Sequence, residues 1–187
     1  TGNVLCATLP SANVPLAIAS TANVTVNSTL AVTENLTLTD VNVSVNITHS
    51  WVRDLTLTLI SPAGTAVQLV ARPCTNVALN DIIATFDDAG IPIACANNPA
   101  VSGTVQPTQV LSAFNGQNSL GTWTLRVLDS ANQDGGSIVG WSLNPCGIQV
   151  PLSVDQNSLA NFAVYPNPTQ GNFTVQFNSD SSQPVQV

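Results

Sequence analysis

Carboxylates at the ends of two predicted strands are the residues of this chain whose types and spacing best suit chemistry. Asp54 precedes the alternating stretch LTLTLI, and Asp129 closes a second alternating stretch, GTWTLRVLD. Antiparallel pairing of these strands would bring both aspartates to the same end of a sheet. The turn that follows, SANQDGG, adds Asn132 and Asp134 at that end. Carboxylate, amide and carbonyl oxygens are the ligands of Ca²⁺, so these four residues form the first candidate calcium site.

A second group of polar side chains, consisting of Asn80, Asp81, Asp87 and Asp88, forms the other candidate calcium site. It lies in a long, loop-rich insert, residues 72–120, which also holds two of the cysteines. Neither group has the spacing of an EF-hand loop. Aspartates at strand ends and turns also cap backbone N–H groups. The sequence therefore leaves two interpretations for each group, a calcium site or simple capping.

The sequence shows no set of residues with the spacing of a catalytic triad. The one histidine, His49, stands next to Trp51 at the start of a predicted strand. No serine lies in a small-residue nucleophile turn with an aspartate and histidine elsewhere to complete a triad. We therefore predict a structural role for His49 and a chain that is not itself an enzyme.

Four cysteines, none at CxxC spacing, favour disulfides over a zinc site. Three pairings are possible. We favour Cys74–Cys95, which closes a local loop, and Cys6–Cys146, which joins the two ends of a domain. An even cysteine count in a chain without lysine indicates an oxidising compartment, so we predict a secreted or cell-surface protein.

The charge balance excludes several partners. Only 7% of the residues are charged, and the net charge is −7. Nucleic acids and anionic membrane surfaces both require a basic patch, so neither is expected as a partner. No apolar run approaches the length of about 20 residues that a membrane-spanning helix needs.

Alternating strands must position the candidate sites. Val41, Val43 and Val45 alternate with polar residues, while Leu36 and Leu38 have the opposite parity. The register must therefore change near residues 39–40 by a bulge or turn. Further strands are predicted at residues 66–71, 82–86, 110–114 and 137–143. About eight strands and no helix predict an all-β fold, an antiparallel β-sandwich or jelly roll.

The three tryptophans could form either a sugar-stacking platform or part of the core. Trp51, Trp123 and Trp141 share parity with leucine and valine neighbours, which favours core packing for all three.

The chain divides into a main domain and a short tail. We assign residues 1–147 to the β-sandwich, 148–160 to a linker and 161–187 to the start of another β unit. The tail contains a proline-stiffened turn, YPNPTQG, followed by the alternating stretch NFTVQF.

Four separated motifs carry a resemblance to a known family. The series WVRDLTLTLISPAGT and LGTWTLRVLDSANQDGGSIVGWSL resembles the P-domain (P/Homo B domain) of subtilisin-like proprotein convertases. The resemblance covers roughly residues 6–147, and the cysteine-bearing insert is similar to that of bacterial secreted members. The tail, YPNPTQGNFTV, resembles the opening of the type IX secretion sorting domain, which directs export across the outer membrane.

The resemblance implies a β-jelly-roll module that follows a subtilisin-type catalytic domain in the same polypeptide. Such modules support the folding and stability of the serine endopeptidase and influence its calcium dependence. The tail implies contact with the type IX secretion machinery. An adhesion or glycan-binding jelly roll exported by the same route is the alternative function, and an upstream His/Asp/Ser core would distinguish the two.

Overall fold

The computed structural model describes residues 3–21, 23–75, 78–149, 160–165 and 174–178. The chain divides into two compact units, Thr1–Val150 and Pro151–Val187. In the second unit, strands β12 (Ala160–Tyr165) and β13 (Thr174–Asn178) form an antiparallel pair. Among the described residues, no helix has the length and apolar character that crossing a membrane requires.

The described part of the first unit contains eleven strands, three more than the approximate number predicted. In chain order they are β1 Val4–Cys6, β2 Leu9–Pro10, β3 Leu16–Ile18, β4 Val24–Val32, β5 Leu36–His49, β6 Leu55–Ile60, β7 Ala66–Ala71, β8 Ile82–Ile91, β9 Val101–Val105, β10 Gly121–Asp129 and β11 Gly136–Gln149.

Two sheets form a sandwich, which confirms the predicted all-β class. The first is seven-stranded, in the order β1-β11-β5-β8-β9, and the short strands β2 and β3 also pair with β11. The second is four-stranded, in the order β4-β10-β6-β7. Both sheets turn one apolar face towards the other, as the alternation of apolar and polar residues along their strands requires.

The predicted change of register in β5 is confirmed. β5 pairs with β11 along nearly its whole length, and the pairing passes from Asp40 opposite Cys146 to Leu38 opposite Gly147. Thr39 is thus the extra residue of a bulge, so that Leu38 and Val41 both face the core. A second bulge, at Val139 in β11, leaves that side chain exposed.

Two features of the insert differ from the predicted structure. β8 pairs in parallel with β9. After Ile91 the chain runs back to the level of Ile82, where β9 begins at Val101. The strand predicted at residues 110–114 is instead a short 3-10 helix, Leu111–Phe114. The carboxylate of Asp88 accepts hydrogen bonds from the N–H groups of Leu111 and Ser112 and so caps this turn.

The core fills the space between the two sheets. Trp123 is fully buried and meets Phe114 edge-on, with ring centroids 5.1 Å apart. Trp141 is also buried, and its indole N–H donates to the Ser28 hydroxyl at 2.7 Å. Core packing is therefore confirmed for these two tryptophans.

Both predicted disulfides are formed. Cys6–Cys146 joins β1 to β11. Cys74–Cys95 joins the segment before β8 to the segment after it. Most of the predicted linker, residues 150–159, lies outside the described residues, as does most of the motif YPNPTQGNFTV.

Candidate functional site

One end of the sandwich gathers the first candidate group, because β6 and β10 pair as predicted. Asp129 at the end of β10 lies opposite Leu55 at the start of β6. Asp54 therefore stands beside Asp129, and both are buried. The N–H of Ser130 donates to the Asp54 carbonyl at 3.0 Å, which fixes the start of the turn that leads into β11.

His49 occupies the centre of this end and ties the two sheets together. Its Nδ1 accepts a hydrogen bond from the Trp51 N–H at 3.1 Å. The proton of the neutral ring therefore sits on Nε2, which donates to Oδ2 of Asp129 at 3.1 Å. The His49 N–H donates to Oδ1 of Asp81 at 2.9 Å. These contacts agree with the predicted structural role of His49.

Asp134 differs from Asp129 in having no hydrogen-bond partner. Both carboxylate oxygens of Asp134 are shielded from solvent and unpaired, whereas the Asp129 oxygens accept from His49 and from the Ala131 N–H. Burial raises the pKa of Asp134; His49 opposes this effect, while Asp129 and Asp54 raise the pKa further. The ionised form of Asp134 is thus only partly compensated, and a nearby cation would stabilise it.

Two arginines partly compensate Asp54. Oδ1 of Asp54 lies 3.7 Å from a terminal nitrogen of Arg72 and 4.0 Å from Nε of Arg53. Arg72 also donates from Nε to the Arg53 carbonyl at 3.1 Å. Sequence spacing does not predict this pair, because the arginines stand 19 residues apart and meet only when β6 pairs with β7.

The ligand atoms of His49, Asp129 and Asp134 all lie within 4.8 Å of one another, a spacing that suits a metal ion. Among the described residues, Asp54 does not join this close group. Both His49 nitrogens are engaged, so the histidine is not free to coordinate in this arrangement. The oxygens that remain, from Asp129, Asp134 and the intervening turn, fit a hard cation such as Ca²⁺ better than Zn²⁺.

An open cavity of about 350 Å³ adjoins these carboxylates. It is lined by Trp51, Arg53, Asp54, Ala131, Asn132, Gln133 and Asp134. The Arg53 guanidinium lies 4.5 Å from the centroid of the Trp51 ring, a cation–π contact. Core packing of Trp51 was predicted wrongly, because β5 ends at His49 and strand parity does not extend to the connection that follows.

The second candidate group is not brought together. Asp81 immediately precedes β8 and Asp87 is the sixth residue of that strand, so the two lie roughly 20 Å apart along extended chain. Asp81 accepts from His49, Asp88 caps Leu111, and Asp87 accepts from the Ala89 N–H at 2.8 Å. Asn80 is exposed, and its carbonyl accepts from Ala100. Capping is therefore what this structure shows for these aspartates.

A different acidic group forms across the strands. Burial raises the pKa of Asp40, and the charges of Asp87 and Asp88 raise it further, while a hydrogen bond from the Val41 N–H opposes them. Nothing in the spacing of residues 40 and 87 signals this proximity, because it depends on the pairing of β5 with β8.

Comparison with known proteins places the fold among protease-associated domains. The family described as the proprotein convertase P-domain matches residues 38–145. The serine protease of Aeromonas sobria is structurally similar to this chain, with a TM-score of 0.52 and 19% sequence identity. The complex of that protease with its chaperone ORF2 gives a TM-score of 0.53 at 19% identity.

These likenesses cover 79% of this chain but only 28% of the Aeromonas chains, so this chain spans little more than a quarter of their length. At this level of identity, the shared feature is the fold. No curated protein sequence matches the chain.

Proposed function

The chain belongs to the proprotein convertase P-domain family, and from that premise we propose that it is the accessory, non-catalytic domain of a secreted subtilisin-like serine endopeptidase. The observation that carries this proposal is the family match over residues 38–145, which takes in most of both sheets. The similarity to the fold of an Aeromonas serine protease supports it. The role of such a domain is to support the folding and stability of the protease.

The partners follow from this role. We infer that the chain associates with a subtilisin-like catalytic domain of the same polypeptide. Two disulfides suit an extracellular location, where thiols are oxidised. The tail motif YPNPTQGNFTV supports export through the type IX secretion machinery.

Deletion tests the accessory role. The complete coding sequence would be expressed with and without residues 3–149, and the yield and thermal half-life of serine endopeptidase activity would be measured. We expect little or no active enzyme to accumulate without these residues. A truncated protease with full yield and unchanged half-life would contradict the proposal.

We further infer that calcium binds at the end of the sandwich, held by Asp134 and Asp129 together with oxygens of the turn that contains Asn132. Asp54 contributes negative charge nearby. The unpaired oxygens of Asp134 support this site, because a cation would replace their missing partners. The ion would supply positive charge that fixes the turn between β10 and β11, and binding would stabilise the folded state by linkage.

Calorimetry with calcium added to chelator-treated protein tests this site. At a concentration about 100 times the Kd, calcium should raise the melting temperature by roughly 5–10 °C. Asp134→Asn should abolish the rise. The control Asp87→Asn, which makes the same chemical change in the second candidate group, should retain it. A melt that calcium leaves unchanged, or a rise lost only in Asp87→Asn, would contradict the assignment.

The position of Trp51 favours a second candidate function, glycan binding. Its ring lines the cavity beside carboxylate and amide side chains, which are typical partners of sugar hydroxyls. A glycan array tests this alternative. Binding that Trp51→Ala abolishes would support it, whereas an array without bound glycans would exclude it.

A further inference from the structure

The outer face of the seven-stranded sheet contains a group of buried acceptors that the fold leaves unsatisfied. The Oδ1 atoms of Asn42, Asn46 and Asn144 are shielded from solvent but have no hydrogen-bond partner. Asn42 and Asn144 lie directly opposite each other on β5 and β11, and Asn46 follows on the same face of β5. Unsatisfied buried acceptors are costly, so a cluster of them calls for a partner that supplies donors.

An apolar pair flanks this group. Asn46 lies between Ile83 of β8 and Gly140 of β11, beside the bulged residue Val139. Ile83 is 46% exposed and Val139 is 41% exposed. A side chain added at Gly140 would meet no atom within 4 Å, so the surface next to Val139 is open. Apolar side chains beside buried hydrogen-bonding groups are typical of the centre of a protein–protein interface.

A shallow groove extends this surface towards β9. It has a volume of about 290 Å³ and includes the hydroxyls of Ser44, Thr85 and Thr104. Ser44 and Thr85 share a hydrogen bond of 2.8 Å across β5 and β8. At its end lie Asp40 and Asp87, whose mutual repulsion a basic partner would relieve.

The outer face of the four-stranded sheet differs in its buried polar atoms and in its charge. Among its described residues, none has a buried side-chain oxygen or nitrogen without a partner. It also carries Arg126, which donates to Asn27 across the strands at 3.4 Å. The two remaining arginines lie at the calcium-site end, so the face around Asn46 has acceptors and carboxylates but no cation.

We propose that the outer face of the seven-stranded sheet, centred on Asn46, is the surface on which the catalytic domain docks. This inference rests on the proposed function. The partner surface it fits is rich in N–H and guanidinium donors, with an apolar contact for Ile83 and Val139. The short strands β1–β3 all pair with β11, so a domain joined ahead of Val4 is tethered to the edge of this same sheet.

A matched pair of tyrosine substitutions tests the proposal in the complete protease. Asn46→Tyr places a bulky side chain on the proposed docking face, and Thr124→Tyr places the same side chain on the outer face of the other sheet. Both sites are on central strands, where an aromatic residue suits the pleated surface. Asn46→Tyr should shorten the thermal half-life of the activity about tenfold or more, and Thr124→Tyr should change it less than about twofold.

A second variant and a footprinting measurement keep the test independent of folding. Ile83→Ser removes a half-exposed apolar side chain, so the melting temperature of this chain should fall by less than about 4 °C while the half-life of the complete protease falls at least severalfold. Oxidative footprinting should show Ile83 and Val139 protected in the complete protease and reactive in this chain alone.

The outcomes separate the two proposals. If deletion of residues 3–149 inactivates the protease but Asn46→Tyr matches the unchanged protein, the docking face is wrong and the accessory role stands. Equal losses from Asn46→Tyr and Thr124→Tyr would also overturn the docking face. If the deletion itself has no effect, the accessory role is contradicted.

Discussion

At the scale of single residues, Asp134 has the most unusual environment in the site. Its pKa is raised above 3.8, so the folded state binds its proton more tightly than the unfolded state does. Stability must therefore fall as pH rises from 3.8 through the raised pKa, and the penalty persists at neutral pH. A neutral side chain of the same shape avoids that penalty.

We predict that Asp134→Asn raises the melting temperature at pH 7 in the presence of a chelator. The variant should also lose the part of the decline in stability that begins above pH 3.8. Thermal melts between pH 3.5 and 7 measure both effects. A lower melting temperature for the variant at pH 7 would mean that the carboxylate has a stabilising partner.

His49 links the two sheets through Asp129, so its replacement should destabilise the fold. We predict that His49→Phe lowers the free energy of unfolding by about 2–4 kcal/mol, because it leaves a buried carboxylate oxygen and the Trp51 N–H without partners. The double variant His49→Phe, Asp129→Leu should recover part of this loss. Urea denaturation of the unchanged protein and these two variants checks the prediction, and a double variant no more stable than His49→Phe would contradict it.

At the scale of elements, the long pairing of β5 with β11 depends on close backbone approach. A Cβ atom at Gly136 would lie 1.8 Å from the Thr48 carbonyl oxygen. We predict that Gly136→Ala lowers the free energy of unfolding by about 3 kcal/mol or more, because the backbone must move. The control Gly140→Ala, on the same strand, meets open space and should change it by less than about 1 kcal/mol. Chemical denaturation of the pair distinguishes them.

The sequence predicted the elements whose alternation is long and regular. β6 and β10 have clear two-residue periods, so their pairing and the meeting of Asp54 with Asp129 followed from strand geometry alone. The insert could not be predicted in the same way, since its apolar runs are short. The parallel β8–β9 pair and the 3-10 helix at Leu111 depend on contacts with distant residues.

Several details of the site could not be predicted from the sequence for a related reason. The position of Trp51 at the cavity depends on where β5 ends, and the alternation of apolar residues does not mark that point. The contact of Arg72 with Asp54 requires the β6–β7 pairing, and the unpaired state of Asp134 requires the conformation of its turn. These are tertiary properties that residue types and spacing do not determine.

At the scale of the whole molecule, the two disulfides close loops of very different length. Cys6–Cys146 spans 140 residues and Cys74–Cys95 spans 21. In the loop-entropy model the longer loop stabilises by about 5 kcal/mol and the shorter by about 3 kcal/mol. We predict that the double variant Cys6→Ala, Cys146→Ala loses more stability than Cys74→Ala, Cys95→Ala. Urea denaturation gives the order, and the reverse order would contradict the model.

The same long bridge determines how the unit responds to mechanical tension. When force is applied to the chain before Cys6 and after Cys146, it passes through the disulfide bond and bypasses the 140-residue loop between the two cysteines. The sandwich therefore bears no load, and roughly 500 Å of contour length stays hidden while the bridge is intact. Reduction would release that length. The redox state of one cysteine pair therefore determines whether the domain can be unfolded by force or must be transported in its folded state.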